Sequence, residues 1–122
     1  MNNPQTIADY YMEQMRHLAN EVVICAYFDV KSRFLGDKFI SKGSLSSSVV
    51  DIGSIIRTAL DKNASKLVLL HNHPSGDCTP SRNDIAVTDR LIEGSGIFSI
   101  ELCDHILIGD YEYYSCYENK LI

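Results

Sequence analysis

The chain has 122 residues, 45% of them hydrophobic and 22% charged, with a formal net charge of −5. That length sets one domain, large enough to bury a real core. The acidic balance and the scattered Lys and Arg argue against a broad nucleic-acid surface, which needs clustered basic residues, and no apolar run approaches the length that spans a bilayer.

Asn3 and Pro4 form an N-cap and first-position pair that opens a helix. Ile7, Tyr10, Tyr11, Met15, Leu18 and Ala19 give it an apolar face, and Asn20 closes it. The opening MNNPQTIADYYMEQM has neither a basic start nor the apolar stretch of a secretory signal, so a cytoplasmic location is expected. VVICAYF reads as a buried strand, Asp29 to Arg33 as a turn, and FLGDKFI as a second strand at a sheet edge. Ser46 to Ser48 offer caps for a helix over Val49 to Lys62, with Val49, Ile52, Ile55, Ile56, Ala59 and Leu60 inward.

KLVLLH, Lys66 to His71, is apolar and β-rich and reads as another buried strand. Ser75-Gly76-Asp77 is turn chemistry. Thr79 and Pro80 then predict a helix start, with Ile85, Thr88, Leu91 and Ile92 inward and Gly94-Ser95-Gly96 as its left-handed stop. IFSIELC, HILIG and YEYYSCY are three further strand candidates; Asp104-His105 reads as a turn connecting strands, with a supporting or substrate-side pair at the site as the alternative. The tyrosines of the last segment read as sheet packing. The order of elements predicts a single α/β domain with a mixed sheet flanked by helices. The four cysteines, Cys25, Cys78, Cys103 and Cys116, form no CxxC pair, which argues against a cysteine zinc site. Cys25 and Cys103 read as core thiols. Cys78 reads as a loop residue, and its closeness to His73 in sequence makes an inhibitory fourth metal ligand the alternative.

The stretch LHNHPSGDCTPSRNDIAVTDR, Leu70 to Arg90, carries the chemistry. His71 and His73 are one residue apart. If the strand runs on through His73, both imidazoles face one side and Asn72 points to the other. Pro74 favours this, because a residue before proline is pushed towards β geometry. Ser81 and Asp84 lie three apart and share a helix face. Imidazole nitrogen and carboxylate oxygen are both good zinc ligands, and a catalytic zinc takes three protein ligands plus water. A strand end and a helix start can therefore converge on one ion.

HxH, seven residues, Ser, two residues, Asp resembles the JAMM, or MPN-plus, metalloprotease signature. The fuller string HNHPSGDCTPSRNDIAVTDRL, the downstream LCDHILIG and the upstream SLSSSVVDIGSIIRTALDKNASKLVLL are similar to the RadC branch of that superfamily, from about Glu21 to the C-terminus. The resemblance implies a cytidine-deaminase-like JAMM domain over 21–122 behind an N-terminal helix over 1–20. It implies zinc held by His71, His73 and Asp84, an oxyanion-stabilising Ser81, and Glu21 as the upstream glutamate that deprotonates water. Gly53-Ser54 stand where RadC sequences commonly carry an Arg-Glu pair. The helical N-terminal domain usual in RadC proteins has no counterpart in this sequence.

The implied reaction is hydrolysis of a peptide or isopeptide amide bond. Glu21 would act as general base, a role typically worth ~10²–10⁴-fold, and Ser81 would donate to the oxyanion, a contact worth roughly 10²–10³-fold. The alternative is a non-catalytic zinc-binding adaptor with a RadC-like fold, linked to DNA maintenance or mobile elements. DNA repair enters through the family's name, and the net charge argues against direct DNA contact.

Overall fold

Two alternating sets of apolar side chains decide the layers of this molecule. A computed structural model describes residues 3–42 and 50–122. In chain order the elements are α1 (Pro4–Met15), β1 (Val22–Phe28), β2 (Phe34–Lys42), α2 (Ile52–Asp61), β3 (Lys66–Asn72), α3 (Arg82–Ile97), β4 (Glu101–Ile108) and β5 (Tyr113–Ser115). The strands form one sheet in the order β2-β1-β3-β4-β5. β3 and β4 are parallel, joined through α3, and the other neighbouring pairs are antiparallel. The fold is thus a single α/β domain with a mixed five-stranded sheet, as the element order predicts.

Every residue of β1 is buried because both faces of the sheet are covered. Val22, Ile24, Ala26 and Phe28 join Val68, Leu70, Ile106 and Ile108 in a core closed by Ile7, Ala8, Tyr11 and Met15 of α1. Val23, Cys25 and Tyr27 join Leu67, Leu69 and Leu102 in a second core, closed by Ile55 and Ala59 of α2 and Val87 and Leu91 of α3. Burying one such aliphatic side chain stabilises the fold by about 1.5–3 kcal/mol, so strand alternation is strongly enforced. β2 sits at an edge, as expected, with Phe39 exposed. Among the described residues no helix is long and apolar enough to cross a membrane.

Several boundaries differ from the sequence reading. Asn3 caps α1 and Pro4 opens it, as expected, but the helix ends at Met15 rather than Asn20, and Tyr10 is exposed. The proposed caps Ser46 to Ser48 and Val49 lie outside the described residues. The cap of α2 is Asp51, whose side chain accepts from Ser54 N at 3.0 Å, and Leu60 faces outward. For α3 the cap is Ser81, not Thr79, because Asp77 already binds Thr79 through its backbone N at 2.9 Å and its hydroxyl at 2.7 Å. Gly94 to Gly96 lie inside α3, and the left-handed residue comes later, at Ser99 with φ 58. A β-carbon on Gly94 would meet Ile52 Cγ2 at 3.1 Å, so that glycine serves the close approach of α2 and α3.

The late strands are two, not three. IFSIELC begins inside α3, while ELC and DHILI form the single strand β4. Asp104-His105 is therefore not a turn. Leu102 and Asp104 pair with consecutive residues of β3, Leu67 and Val68, which leaves Cys103 as the extra residue of a bulge. The bulge turns Asp104 to the α1 side and His105 to the α3 side, and it leaves Cys103 only partly buried where a core thiol was expected.

Candidate metal centre

The two histidines reach one place because the chain stays extended past the formal end of β3. Asn72 pairs with Ile108, and His73 N donates to Ile108 O at 2.9 Å. The His71 and His73 rings then meet edge to face, 4.9 Å between centroids. Beyond them the chain turns sharply, with Gly76 N donating to His73 O at 2.9 Å and Gly76 at φ +89. The β4–β5 connection supports this loop. Asp110 N donates to Gly76 O at 3.2 Å, and a β-carbon on Gly109 would collide with that same oxygen. The site thus sits at the carboxyl end of a parallel strand, where the following helix begins, the usual ligand position of such sheets.

α3 delivers the carboxylate. Ser81 Oγ accepts from Asp84 N at 3.1 Å, and Asp84 Oδ2 accepts from Ser81 N at 2.7 Å, a reciprocal capping box that locks the Asp84 rotamer. Asp84 is 1% exposed. Its Oδ1 lies 2.9 Å from His71 Nδ1 and its Oδ2 lies 3.1 Å from His73 Nε2. Burial alone would raise the Asp84 carboxyl. The His71 and His73 imidazoles and the Ser81 N–H overcome it and hold the carboxyl well below the usual carboxylate range.

Whether these residues fit a cation can be judged from their donors and acceptors. The His73 Nδ1 lies 2.8 Å from Asp77 O, and a carbonyl only accepts, so Nδ1 carries a hydrogen there. In the neutral ring Nε2 is then a lone pair facing the Asp84 carboxylate. Two acceptors at that separation need a positive charge between them or a protonated ring, and Asp84 does raise the His73 pKa. His71 makes the same point. Its Nδ1 and Nε2 and the Asp84 Oδ1 are buried without a hydrogen-bond partner, so the 2.9 Å approach is a close contact that is not aligned as a hydrogen bond. Orphaned polar atoms of this kind cost roughly 1–3 kcal/mol each. The donor set of imidazole and carboxylate matches a divalent transition metal.

The potential ligands fall into two groups that share His71. Glu21, His71 and His73 form one, and His71, Asp84 and His105 form the other, each with ligand atoms within 4.8 Å of one another. Glu21 Oε1 lies 3.8 Å from His71 Nε2, with the Glu21 side chain 28% exposed. Neither group is the expected set of His71, His73 and Asp84, although Asp84 lies against both histidines; Ser81 caps the helix of Asp84, and Glu21 comes from just before β1. Ser81 is exposed, and its oxygen accepts from Asp84 N, which leaves the hydroxyl hydrogen available to donate. Cys78 belongs to neither ligand group, and burial raises its thiol pKa, away from the thiolate that a metal needs.

Two residues of the site were not assigned to it from the sequence, His105 because the turn reading was preferred to a supporting role. His105 is fully buried, with Nδ1 2.7 Å from Thr88 Oγ1, while Thr88 Oγ1 donates to Asp84 O at 2.8 Å. Burial, with the neighbouring His71, pushes its pKa down to about 3, so it is neutral. The alternation of DHILI was the signal available, and the bulge at Cys103 hid it. Asn72 does point away from the histidines' side, as expected, but it is 1% exposed and bonded at both ends of its amide. Its Oδ1 accepts from Val22 N at 2.6 Å and its Nδ2 donates to Asn20 O at 3.0 Å.

A family model described as RadC-like JAB domain matches residues 1–121. A UPF0758 protein of Bacillus cereus (strain B4264) is 43% identical over 118 residues, covering 97% of this chain and 52% of its own. UPF0758 proteins of Clostridioides difficile (strain 630) and Desulfitobacterium hafniense (strain DSM 10664 / DCB-2) are 42% identical over 120 residues and 44% over 122, covering 98% and 100% of this chain and 51% and 54% of their own. The chain spans about half the length of these relatives. With the family match running through α1 and the whole sheet, this chain belongs to the RadC-like JAB domain family.

Proposed function

We infer that this protein is a zinc-dependent hydrolase of peptide or isopeptide amide bonds, with His71, His73 and Asp84 as the metal ligands. One observation carries the reading: a buried imidazole nitrogen, His71 Nδ1, and a buried carboxylate oxygen, Asp84 Oδ1, lie about a hydrogen bond apart without forming one, as ligands aimed at a shared cation do. Zinc, when bound, supplies Lewis acidity, polarising a carbonyl and bringing the pKa of water to about 7. The protein's own groups then do the rest. Glu21, partly exposed beside His71, takes a proton from the attacking water and returns it to the leaving amine. Ser81 offers its hydroxyl hydrogen to the oxygen that becomes negative. The Asp77 carbonyl holds the His73 ring with Nε2 towards the site, a support whose loss typically costs 10–100-fold in metal affinity.

The test combines metal analysis with a peptide and isopeptide substrate library. Wild type is expected to hold one zinc per chain, His73→Ala to lose it, and Glu21→Gln to keep it while losing hydrolysis. No zinc above background in the wild type would refute the metal site. Stoichiometric zinc with no cleavage of any library member would instead make the protein a metal-binding adaptor.

A further inference from the structure

The β1–β3 ladder ends one step before the site. Backbone pairing runs from Phe28↔Lys66 to Val23↔His71. The next pair would set Val22 against Asn72, but the pairing with β1 stops at His71, while the pairing with β4 on the other side runs on, with Asn72 opposite Ile108 and His73 N on Ile108 O. The amide side chain of Asn72 fills the missing step. Its Oδ1 takes the Val22 N–H at 2.6 Å, and its Nδ2 gives a hydrogen to Asn20 O at 3.0 Å. These two partners fix which way the amide is turned, since the opposite flip would set donor against donor and acceptor against acceptor.

The two partners are the peptide groups on either side of Glu21. Asn20 O belongs to the peptide joining residues 20 and 21, and Val22 N to the peptide joining 21 and 22. A side chain that holds both peptide planes leaves the intervening residue little freedom in φ and ψ. Glu21 lies before the first residue of β1, past the point where the β1–β3 ladder ends. Few side chains can do this. The task needs a donor and an acceptor at one reach, which a carboxylate lacks at neutral pH and an aliphatic group lacks altogether. Asn72 is also 1% exposed, so its amide has no access to water in place of these bonds.

We propose that Asn72 is the positioning residue for Glu21: by clamping both peptide groups that flank it, the Asn72 amide holds the Glu21 carboxylate beside the His71–His73 pair. The proposal rests on the reading of Glu21 as the general base. It assigns the residue between the two histidines a part in catalysis that is neither metal ligation nor contact with substrate. It couples the ligand strand to the base strand, so that the geometry of one follows the other.

Cobalt(II), loaded in place of zinc, is the probe, and its visible spectrum is followed against pH in wild type, Glu21→Gln, Asn72→Leu and the double variant. Glu21→Gln is expected to move the midpoint of the spectral transition by on the order of one pH unit, the ordinary scale of such perturbations in proteins. Asn72→Leu is expected to move it in the same direction and to a similar extent, and the double variant to add nothing, because both changes remove one interaction. Cobalt affinity in Asn72→Leu should fall by less than the ~10-fold that loss of a ligand's own supporting bond brings. Amide exchange at Val22 should accelerate in the same variant. If Asn72→Leu does not fold, Asn72→Ser, smaller and too short to span both peptides, is expected to give the same shift. A wild-type midpoint in the Asn72 variants alongside a shifted Glu21→Gln would overturn this inference alone, as would additive shifts in the double variant. Failure of the wild type to bind cobalt, or a midpoint indifferent to Glu21→Gln, would overturn the assignment of the base and this inference with it.

Discussion

Helices α2 and α3 cover the same face of the sheet, yet they do so with different chemistry. α2 buries Ile55, Ile56 and Ala59, all apolar, beneath an Asp51 cap that is itself exposed. α3 buries Val87 and Leu91 together with Asp84, Thr88 and Ser95. The first helix only needs its buried face removed from water. The second must also aim a carboxylate at two imidazoles and a hydroxyl at His105 Nδ1. Its buried stripe is therefore half polar, and two of its large apolar residues, Ile85 and Ile92, are left outside at 40% and 39% exposure. A helix that carries a site gives up part of its hydrophobic face to do so, and the neighbouring helix supplies the packing.

That contrast can be broken in four places. The largest effect is expected at Asp84→Asn. The amide still accepts the Ser81 N–H, so the fold should persist by circular dichroism, but the paired anionic oxygens are gone and zinc affinity should fall beyond the ~100-fold upper range of outer-support mutations. Equilibrium dialysis against zinc measures it, and unchanged binding would reduce α3 to a packing element. Ile55→Ala on α2 should do the reverse. It removes a buried side chain, so urea unfolding should show a loss of about 2–5 kcal/mol, with zinc stoichiometry intact.

Thr88→Val tests the polar stripe more finely. The substitution keeps volume but strips His105 Nδ1 of its partner, and a cost of about 1–3 kcal/mol is expected in the same unfolding measurement. A neutral result would mean that His105 finds another partner. The smallest effect belongs to Ile92→Gln. Periodicity places Ile92 inward and the structure places it at the surface, so the change should cost less than about 1 kcal/mol. A loss comparable to that of Ile55→Ala would return Ile92 to the core.

Legibility in the sequence followed the same division. β1 was readable because VVICAYF is apolar on both faces, and only a central strand covered on both sides can be so. α1 was readable at its start, where Asn3 and Pro4 act locally, and not at its end, where no glycine or proline stops it. In α3 the expected inward set was right for Thr88 and Leu91 and wrong for Ile85 and Ile92, because Asp84 and Ser95, which the helix buries, are polar and carry no hydrophobic signal. Thr79-Pro80 imitated a helix start, and the choice of Ser81 depended on Asp77 having already taken Thr79. Asp104-His105 read as a turn because charged and polar neighbours rarely sit inside a central strand. The bulge at Cys103 and the Ser115 hydroxyl on Asp104 are what make them tolerable there.

What the amino-acid sequence determined by itself was local: the identity and spacing of His71, His73, Ser81 and Asp84, the strand that carries the first pair, and the helix that carries the second. Short-range chemistry suffices for these, since alternation, turn residues and capping act over a few positions. Only the tertiary structure decided that Glu21, fifty positions before His71, stands 3.8 Å from its ring, that Thr88 and His105 extend the site inward, and that Asn72 ties the base strand to the ligand strand. Those relations depend on which strands are neighbours and in what register, and register is set by the packing of the whole sheet between its helices.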